Sequence, residues 1–295
     1  MKKITLLCFV CLWQFIVIAQ NNTTEPFSFV FINDVHLSPG KGVDGFEKAI
    51  NYINKLNPDF VISCGDLVMD VNDQTETAAD SLFDLYIKTS KQIKSAIYTG
   101  IGNHDIFGIS LKQGITPDHP MFGKKMFEKK IGKTYQTFAH KGWRFFILDD
   151  IDISISKKYR GYVDSLQMEW IKNELKTINP QTPIIIALHM PLVSVLNQVE
   201  RGGTAANSDA SAVSNSRKLL DLFKGYNLKL VLQGHQHVYE DILFQNIRFI
   251  TGGALSGWKW NGPSRDTPPG FLQITTKGTD VNGVYIDYGW KPISK

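Results

Sequence analysis

The stretch Phe27–His36 reads FSFVFINDVH. Aromatic and β-branched side chains fill it almost without interruption, so it has no polar face for water and reads as a strand buried on both sides. A helical pattern follows: Phe46, Ala49, Ile50, Ile53 and Leu56 recur at helix spacing until Pro58 stops it. DFVIS (Asp59–Ser63) reads as the next strand, Leu82, Leu85, Tyr86 and Ile93 mark a second helix, and AIYTGI (Ala96–Ile101) is a third strand. The order βαβαβ demands right-handed crossovers and a largely parallel sheet.

Further along, residues 106–133 read as a long loop with a short helix, whose lysines (Lys124 to Lys130) suit a solvated face. TYQTFAHKGWRFFILDD is a hairpin turning at His140–Gly142, with His140 exposed at the turn. Asp164 and Gln167 have the spacing of a capping box, opening a helix that carries Trp170, Ile171 and Leu175. PIIIALH and LKLVLQGHQH are buried strands separated by the helix SRKLLDLFKGY, which Gly225 ends. DILFQ, IRFITGG, GFLQITT and VNGVYID are short β segments in the tail. No composition break marks a linker, so residues 20–295 are expected to form a single α/β domain. Its expected architecture is a four-layer α/β/β/α sandwich, two mixed sheets flanked by helices.

The chain has 295 residues, of which 43% are hydrophobic, enough for a large core. MKK, an apolar run ending at Ala19 and the polar QNNTTE have the pattern of a secretory signal peptide, residues 1–19. The run is short for a membrane span of about 20 residues, and Leu7 and Val10 are not the small neighbours that a lipidated Cys8 or Cys11 requires. The expected product is therefore exported, periplasmic or extracellular, without stable membrane insertion. Losing Lys2 and Lys3 takes the formal charge from +4 to +2, which gives no argument for nucleic acid as a partner. Cys64 alone remains, a buried thiol with no disulfide partner.

The strands of the α/β series end on the same kinds of residue. The first ends with Asp34 and His36, the second with Asp66, and the third with Asn103 and His104. IIIALH ends with His189, and LVLQGHQH with His235 and His237. Ligands of open α/β sheets bind at the carboxyl ends of the strands, so these side chains can converge in one crevice. One histidine after a strand needs only a structural explanation. Five of the chain's seven histidines, with two aspartates and an asparagine, need a shared partner, because burying them unpaired is costly. A metal is the natural partner: imidazole with carboxylate suits Zn, Mn or Fe, and the lack of a Cys ligand argues against structural zinc.

The ordered series Asp-x-His, Gly-Asp, Gly-Asn-His-Asp, a single His and Gly-His-x-His, from Phe27 to Tyr239, resembles the calcineurin-like metallophosphoesterases. Matched residue by residue, the resemblance implies two metal ions as cofactors, with Mn, Fe and Zn the candidates. Asp34, His36, Asp66 and His237 would hold the first; Asp66, Asn103, His189 and His235 the second. It implies a hydrolase of phosphoric esters in which a hydroxide shared by the ions attacks phosphorus. His104 would assist the leaving group, and Asp105 would orient His104. The expected partner is a small-molecule phosphate ester, a cyclic nucleotide or nucleotide pyrophosphate being the alternative to a simple ester. A non-catalytic binding module on the same fold is the alternative from another class; it is disfavoured because all eight matched positions, His104 included, are present. Two departures narrow the class. Met69 stands where purple acid phosphatases carry Tyr, and GDLVMDV lacks the Arg of the protein Ser/Thr phosphatase motif GDxVDRG. Trp258 and Trp260 suit either a stacking wall or packing, and Arg201, Arg265 and His119 lie in loops that suit either substrate contact or solvent.

Overall fold

Both faces of the strand Phe27–Ile32 are covered, as its composition requires. The computed structural model describes residues 24–292, so the signal peptide expected at residues 1–19 lies outside the described residues. The chain opens with β1 (Phe27–Ile32), α1 (Lys41–Leu56), β2 (Phe60–Cys64), α2 (Glu76–Ser90) and β3 (Ala96–Gly100). Then come α3 (Lys125–Lys130), β4 (Gln136–His140), β5 (Trp143–Ile147), β6 (Ile151–Ile153), β7 (Tyr159–Gly161) and α4 (Ser165–Leu175). The rest is β8 (Pro183–Ala187), α5 (Leu196–Arg201), α6 (Ser216–Leu222), β9 (Asn227–Gln233), β10 (Tyr239–Phe244), β11 (Ile247–Gly252), β12 (Gly270–Lys277) and β13 (Asp280–Asp287).

Two mixed sheets result, ordered β13-β12-β1-β2-β3 and β10-β11-β9-β8-β5-β4. β1, β2 and β3 are parallel, whereas β12 lies antiparallel against β1, and β10 and β4 are antiparallel edges of the second sheet. Between the sheets Phe29, Phe31, Ile62 and Cys64 meet Phe145, Ile185, Leu230 and Leu232. On the outer faces Val30, Ile32 and Val61 pack with Phe46, Ile50 and Ile53 of α1, and Phe146, Ile184 and Ile186 with Ile171, Leu175 and Leu219 of α4 and α6. Alternate residues of each strand thus enter different apolar layers, which is why the strand sequences do not alternate in polarity.

Several local expectations change. Asp164 caps α4 by accepting from Gln167 N at 2.8 Å, but the return arm of the capping box is missing. The Gln167 amide instead satisfies both backbone groups of buried Asp149, at 2.9 and 2.6 Å. α2 ends at Ser90, before Ile93, and α6 ends before Gly225. His140 is half-buried rather than exposed: its ring lies edge-on to Phe27 and Phe60, and its Nε2 is 3.1 Å from Asp59. Lys124 and Lys130 are not simply solvated, since each pairs with carboxylates, Asp149 for the first and Asp80 with Asp84 for the second. The hairpin β6–β7 left no trace in the sequence, its three-residue strands being too short to show a period.

One helix position carries a prediction. A Cβ on Gly45 of α1 would lie 2.2 Å from the ring of Trp260, a fully buried residue of the β11–β12 loop. Ala in place of helical Gly normally gains about 1 kcal/mol. Here the overpacking, about 1–3 kcal/mol, outweighs that gain. Gly45→Ala is expected to lower the midpoint of chemical denaturation, and a midpoint equal to wild type would mean that Trp260 moves aside freely.

Candidate metal centre

The seven side chains matched to ligand positions are brought together at the carboxyl ends of five strands. Asp34 and His36 follow β1, Asp66 follows β2, and Asn103 opens a single 3-10 turn after β3. His189 follows β8, and His235 and His237 follow β9 in the other sheet, so the centre straddles the two sheets. Backbone bonding continues past the strand ends and holds the loops in register. Asp34 N donates to Gly65 O at 3.1 Å, His36 N to Asp66 O at 2.9 Å and Gly234 N to His189 O at 2.8 Å. Gly65, at φ 83°, lets the sheets approach, because a Cβ there would lie 2.1 Å from His189 Nδ1.

Five of the seven occupy the left-handed region: Asp34 at φ 52°, His36 at 45°, Asp66 at 51°, His235 at 68° and His237 at 55°. Each such residue costs on the order of 1 kcal/mol, and strain gathered in one place points to a functional site. Regular strand backbone would send Asp34 and His36 to the same face but two residues apart along it; the left-handed turns fold their ends back toward one point.

The hydrogen-bonding of the histidines fixes which nitrogens face inward. His36 Nδ1 donates toward Met69 O at 3.4 Å, His237 Nδ1 to Gly257 O at 2.7 Å and His235 Nε2 to Ala210 O at 3.0 Å. Carbonyls only accept, so each of these nitrogens carries the proton and the other one presents a lone pair. His36 Nε2 and His237 Nε2 consequently face each other at 3.0 Å as two acceptors, with Asp34 Oδ1 3.2 Å from His237 Nε2. Asp34 Oδ1 is buried and has no hydrogen-bond donor, while Asp34 Oδ2 accepts from His235 N and Asn33 Nδ2. Burial, with His237 and His104 nearby, pushes His36 down to about 3, so a proton on His36 does not relieve the clash of lone pairs. A cation does relieve it, and the donor set fits one.

The second set is similar. His189 Nε2 lies 2.9 Å from Asn103 Oδ1 and 3.4 Å from Asp66 Oδ1, and His235 belongs to the same group of Asp66 and His189. Burial alone would lower His189, yet Asp66, Asp34 and Asp150 raise it to about 10. The surroundings therefore demand a positive charge, and a metal ion is one that supplies it. Asp66 is the carboxylate that faces both sets: its Oδ2 is 3.6 Å from His36 Nε2, its Oδ1 on the His189 side. Burial would raise Asp66, but His189, His104 and His36 hold it well below the usual carboxylate range.

His104 stands at the edge of this cluster, partly open to solvent. Its Nε2 is 4.0 Å from Asp66 Oδ2 and its Nδ1 is 3.5 Å from Asp70 Oδ2. Burial opposes its protonation, but Asp66 and Asp70 outweigh it and raise the imidazole. Asp105 does not orient His104, contrary to the reading of the motif. Successive residues of a 3-10 turn point about 120° apart, so the Asp105 carboxylate turns inward. There it is fully buried and accepts from Leu67 N and Gly102 N, both at 2.9 Å, bracing the loop that carries Asp66. Sequence reasoning missed three positioning groups. Asp70 approaches His104; Asp150 accepts from His189 N at 3.2 Å and Met190 N at 2.6 Å; Asn33 ties Asp34 to Gly253 O at 2.6 Å. Their only signal was place: each lies within a few residues of a strand end.

A cleft of about 300 Å³ opens onto the centre, bordered by His104, Tyr159, Arg201, Trp258, Lys259 and Arg265. Arg265 pairs with Glu200, and Trp260 is core rather than wall, its indole N–H donating to His36 O at 3.0 Å. His119 stays outside the cleft, with Nδ1 accepting from Met121 N and Nε2 3.5 Å from Glu76.

A family model described as calcineurin-like phosphoesterase matches residues 27–239. The chain is 25% identical over 225 residues to a 3′,5′-cyclic-nucleotide phosphodiesterase of Nostoc sp., covering 73% of each. It is 24% identical over 247 residues to a cAMP/cGMP dual specificity phosphodiesterase of Mycobacterium tuberculosis, covering 80% of this chain and 70% of the other. Among solved structures, a dimetal phosphatase from Danio rerio superposes with a TM-score of 0.64 at 13% identity, over 90% of this chain and 100% of that one, a likeness of fold.

Proposed function

We propose, from the premise that this chain belongs to the calcineurin-like phosphoesterase family and is a metal-dependent phosphohydrolase, that it cleaves small phosphoric diesters at a two-metal centre. Asp34, His36, Asp66 and His237 would hold one ion and Asp66, Asn103, His189 and His235 the other. The observation that carries this reading is the single carboxylate, Asp66, set between two groups of converging nitrogen and oxygen atoms. Bound there, the ions would supply positive charge for the phosphoryl oxygens and a water acidified toward neutrality.

The chain's own residues do the rest. Asp150 and Asn33 hold His189 and Asp34 in place, and Asp105 fixes the loop of Asp66. His104, whose protonation Asp66 and Asp70 favour against burial, faces the cleft and is placed to give its proton to the departing oxygen. The diester preference, cyclic nucleotides in particular, is supported by the two curated relatives named as cyclic-nucleotide phosphodiesterases. The test is hydrolysis of bis-p-nitrophenyl phosphate against p-nitrophenyl phosphate by apo protein reloaded with Mn, Zn or Fe. Metal-dependent turnover favouring the diester is expected. Turnover of the monoester alone would sink the diester preference, and turnover without metal would sink the centre.

Asp70 gives a separate prediction. Asp70→Asn keeps the shape but removes the charge beside His104 Nδ1. The expected loss in kcat is about 10- to 100-fold, as when an orienting partner of a site histidine is removed. Metal content should be unchanged, because Asp70 approaches His104 and belongs to none of the metal-binding groups. A kcat equal to wild type would remove Asp70 from the mechanism.

A further inference from the structure

The loop between β11 and β12 presents an indole and a cation to the metal cleft. It is held rigidly. Trp260 turns into the core, Trp258 N donates to Gly262 O at 2.8 Å, and Asn261 Nδ2 donates to the carbonyls of Trp258 and Lys259 at 3.2 and 3.1 Å. Lys259, Trp260, Arg265 and Asp266 all lie in the left-handed region, at φ 48°, 69°, 44° and 65°. None is glycine, so the loop keeps a conformation its residues disfavour, as happens where a chain must display particular side chains.

The displayed side chains are Trp258 and Lys259. The Trp258 indole is 53% exposed, its ring centre 6.0 Å from that of His237. An indole left half in water beside a polar centre adds little to the core and offers a flat apolar face. Lys259 also lines the cleft, and among the described residues no carboxylate lies within ion-pair distance of it, whereas neighbouring Arg265 is spent on Glu200.

We propose that Trp258 and Lys259 form a specificity subsite for phosphate esters that carry a planar aromatic group, nucleotides by chemical class. The base stacks on Trp258 and Lys259 neutralises phosphate charge. This rests on the phosphohydrolase reading of the adjoining centre. Phosphonate analogues of adenosine 5′-monophosphate and methyl β-ribofuranoside 5-phosphate differ only at C1′, adenine against methoxy, and resist hydrolysis, so equilibrium binding to the metal-loaded protein isolates the base. The adenine-bearing analogue is expected to bind about 5- to 150-fold tighter, the range of base–aromatic stacking. Trp258→Ala should abolish that ratio while leaving the affinity of the ribose analogue unchanged, which also shows that the variant is folded. Lys259→Gln should weaken both ligands and leave the ratio intact. A ratio near one in the wild type, or one that survives Trp258→Ala, would overturn the subsite. Hydrolysis of bis-p-nitrophenyl phosphate, followed in parallel, separates the two readings. Turnover with a ratio near one sinks only the subsite, and a Trp258-dependent ratio without turnover sinks only the phosphohydrolase assignment.

Discussion

Asp66→Ala is expected to lose bound metal and turnover together. Its two oxygens face different nitrogen sets, Oδ2 toward His36 and Oδ1 toward His189, and Oδ1 also accepts from His104 N at 2.8 Å. Removing it leaves each set without its shared anion, and two cations held there would lose the carboxylate that offsets their repulsion. The His104 backbone loses its anchor as well. Two-metal sites supply several kcal/mol to the transition state, so kcat should fall about 10³-fold or more. Metal content by atomic emission should fall to one ion or none per chain. A variant that retains two ions and full activity would contradict the assignment of Asp66. Circular dichroism serves as control, since the bracing contacts of Asp105 to Leu67 and Gly102 do not involve the Asp66 side chain.

The residues that converge in the candidate centre were more legible in the sequence than their arrangement. Asp34, His36, Asp66, Asn103, His189, His235 and His237 were legible because each ends an apolar run, and polar residues in that place are conspicuous. The layers were legible for a related reason: strands without alternation must be covered on both faces, and regular helical periods supply the cover. Asp70, Asp150 and Asn33 could not be found that way. They act through backbone amides or a neighbour's ring, and such contacts depend on loop paths that carry no period. The left-handed backbone of Asp34, His36 and Asp66 was equally hidden, because Asp and His adopt that region without a glycine to announce it. Asp105 shows the opposite failure. Adjacency in the sequence suggested a contact with His104, and the turn geometry sent the two side chains apart.

His104→Ala should separate chemistry from metal binding. The ring lies near enough to His36 and Asp66 to join them around an ion, and near Asp70, but it is not among the residues assigned above to either ion. The variant should therefore keep both ions and lose about 10²- to 10⁴-fold in kcat, the usual contribution of a positioned acid. The loss should depend on the leaving group. A p-nitrophenolate departs readily without a proton, so bis-p-nitrophenyl phosphate should fall near the lower end of that range. A diester with an alkyl leaving group develops far more charge on the departing oxygen and should fall near the upper end. Equal losses for the two esters would mean that His104 acts on the phosphoryl group rather than on the leaving oxygen. Loss of metal in this variant would place His104 among the ligands, and the division of labour between the two groups of histidines would have to be redrawn.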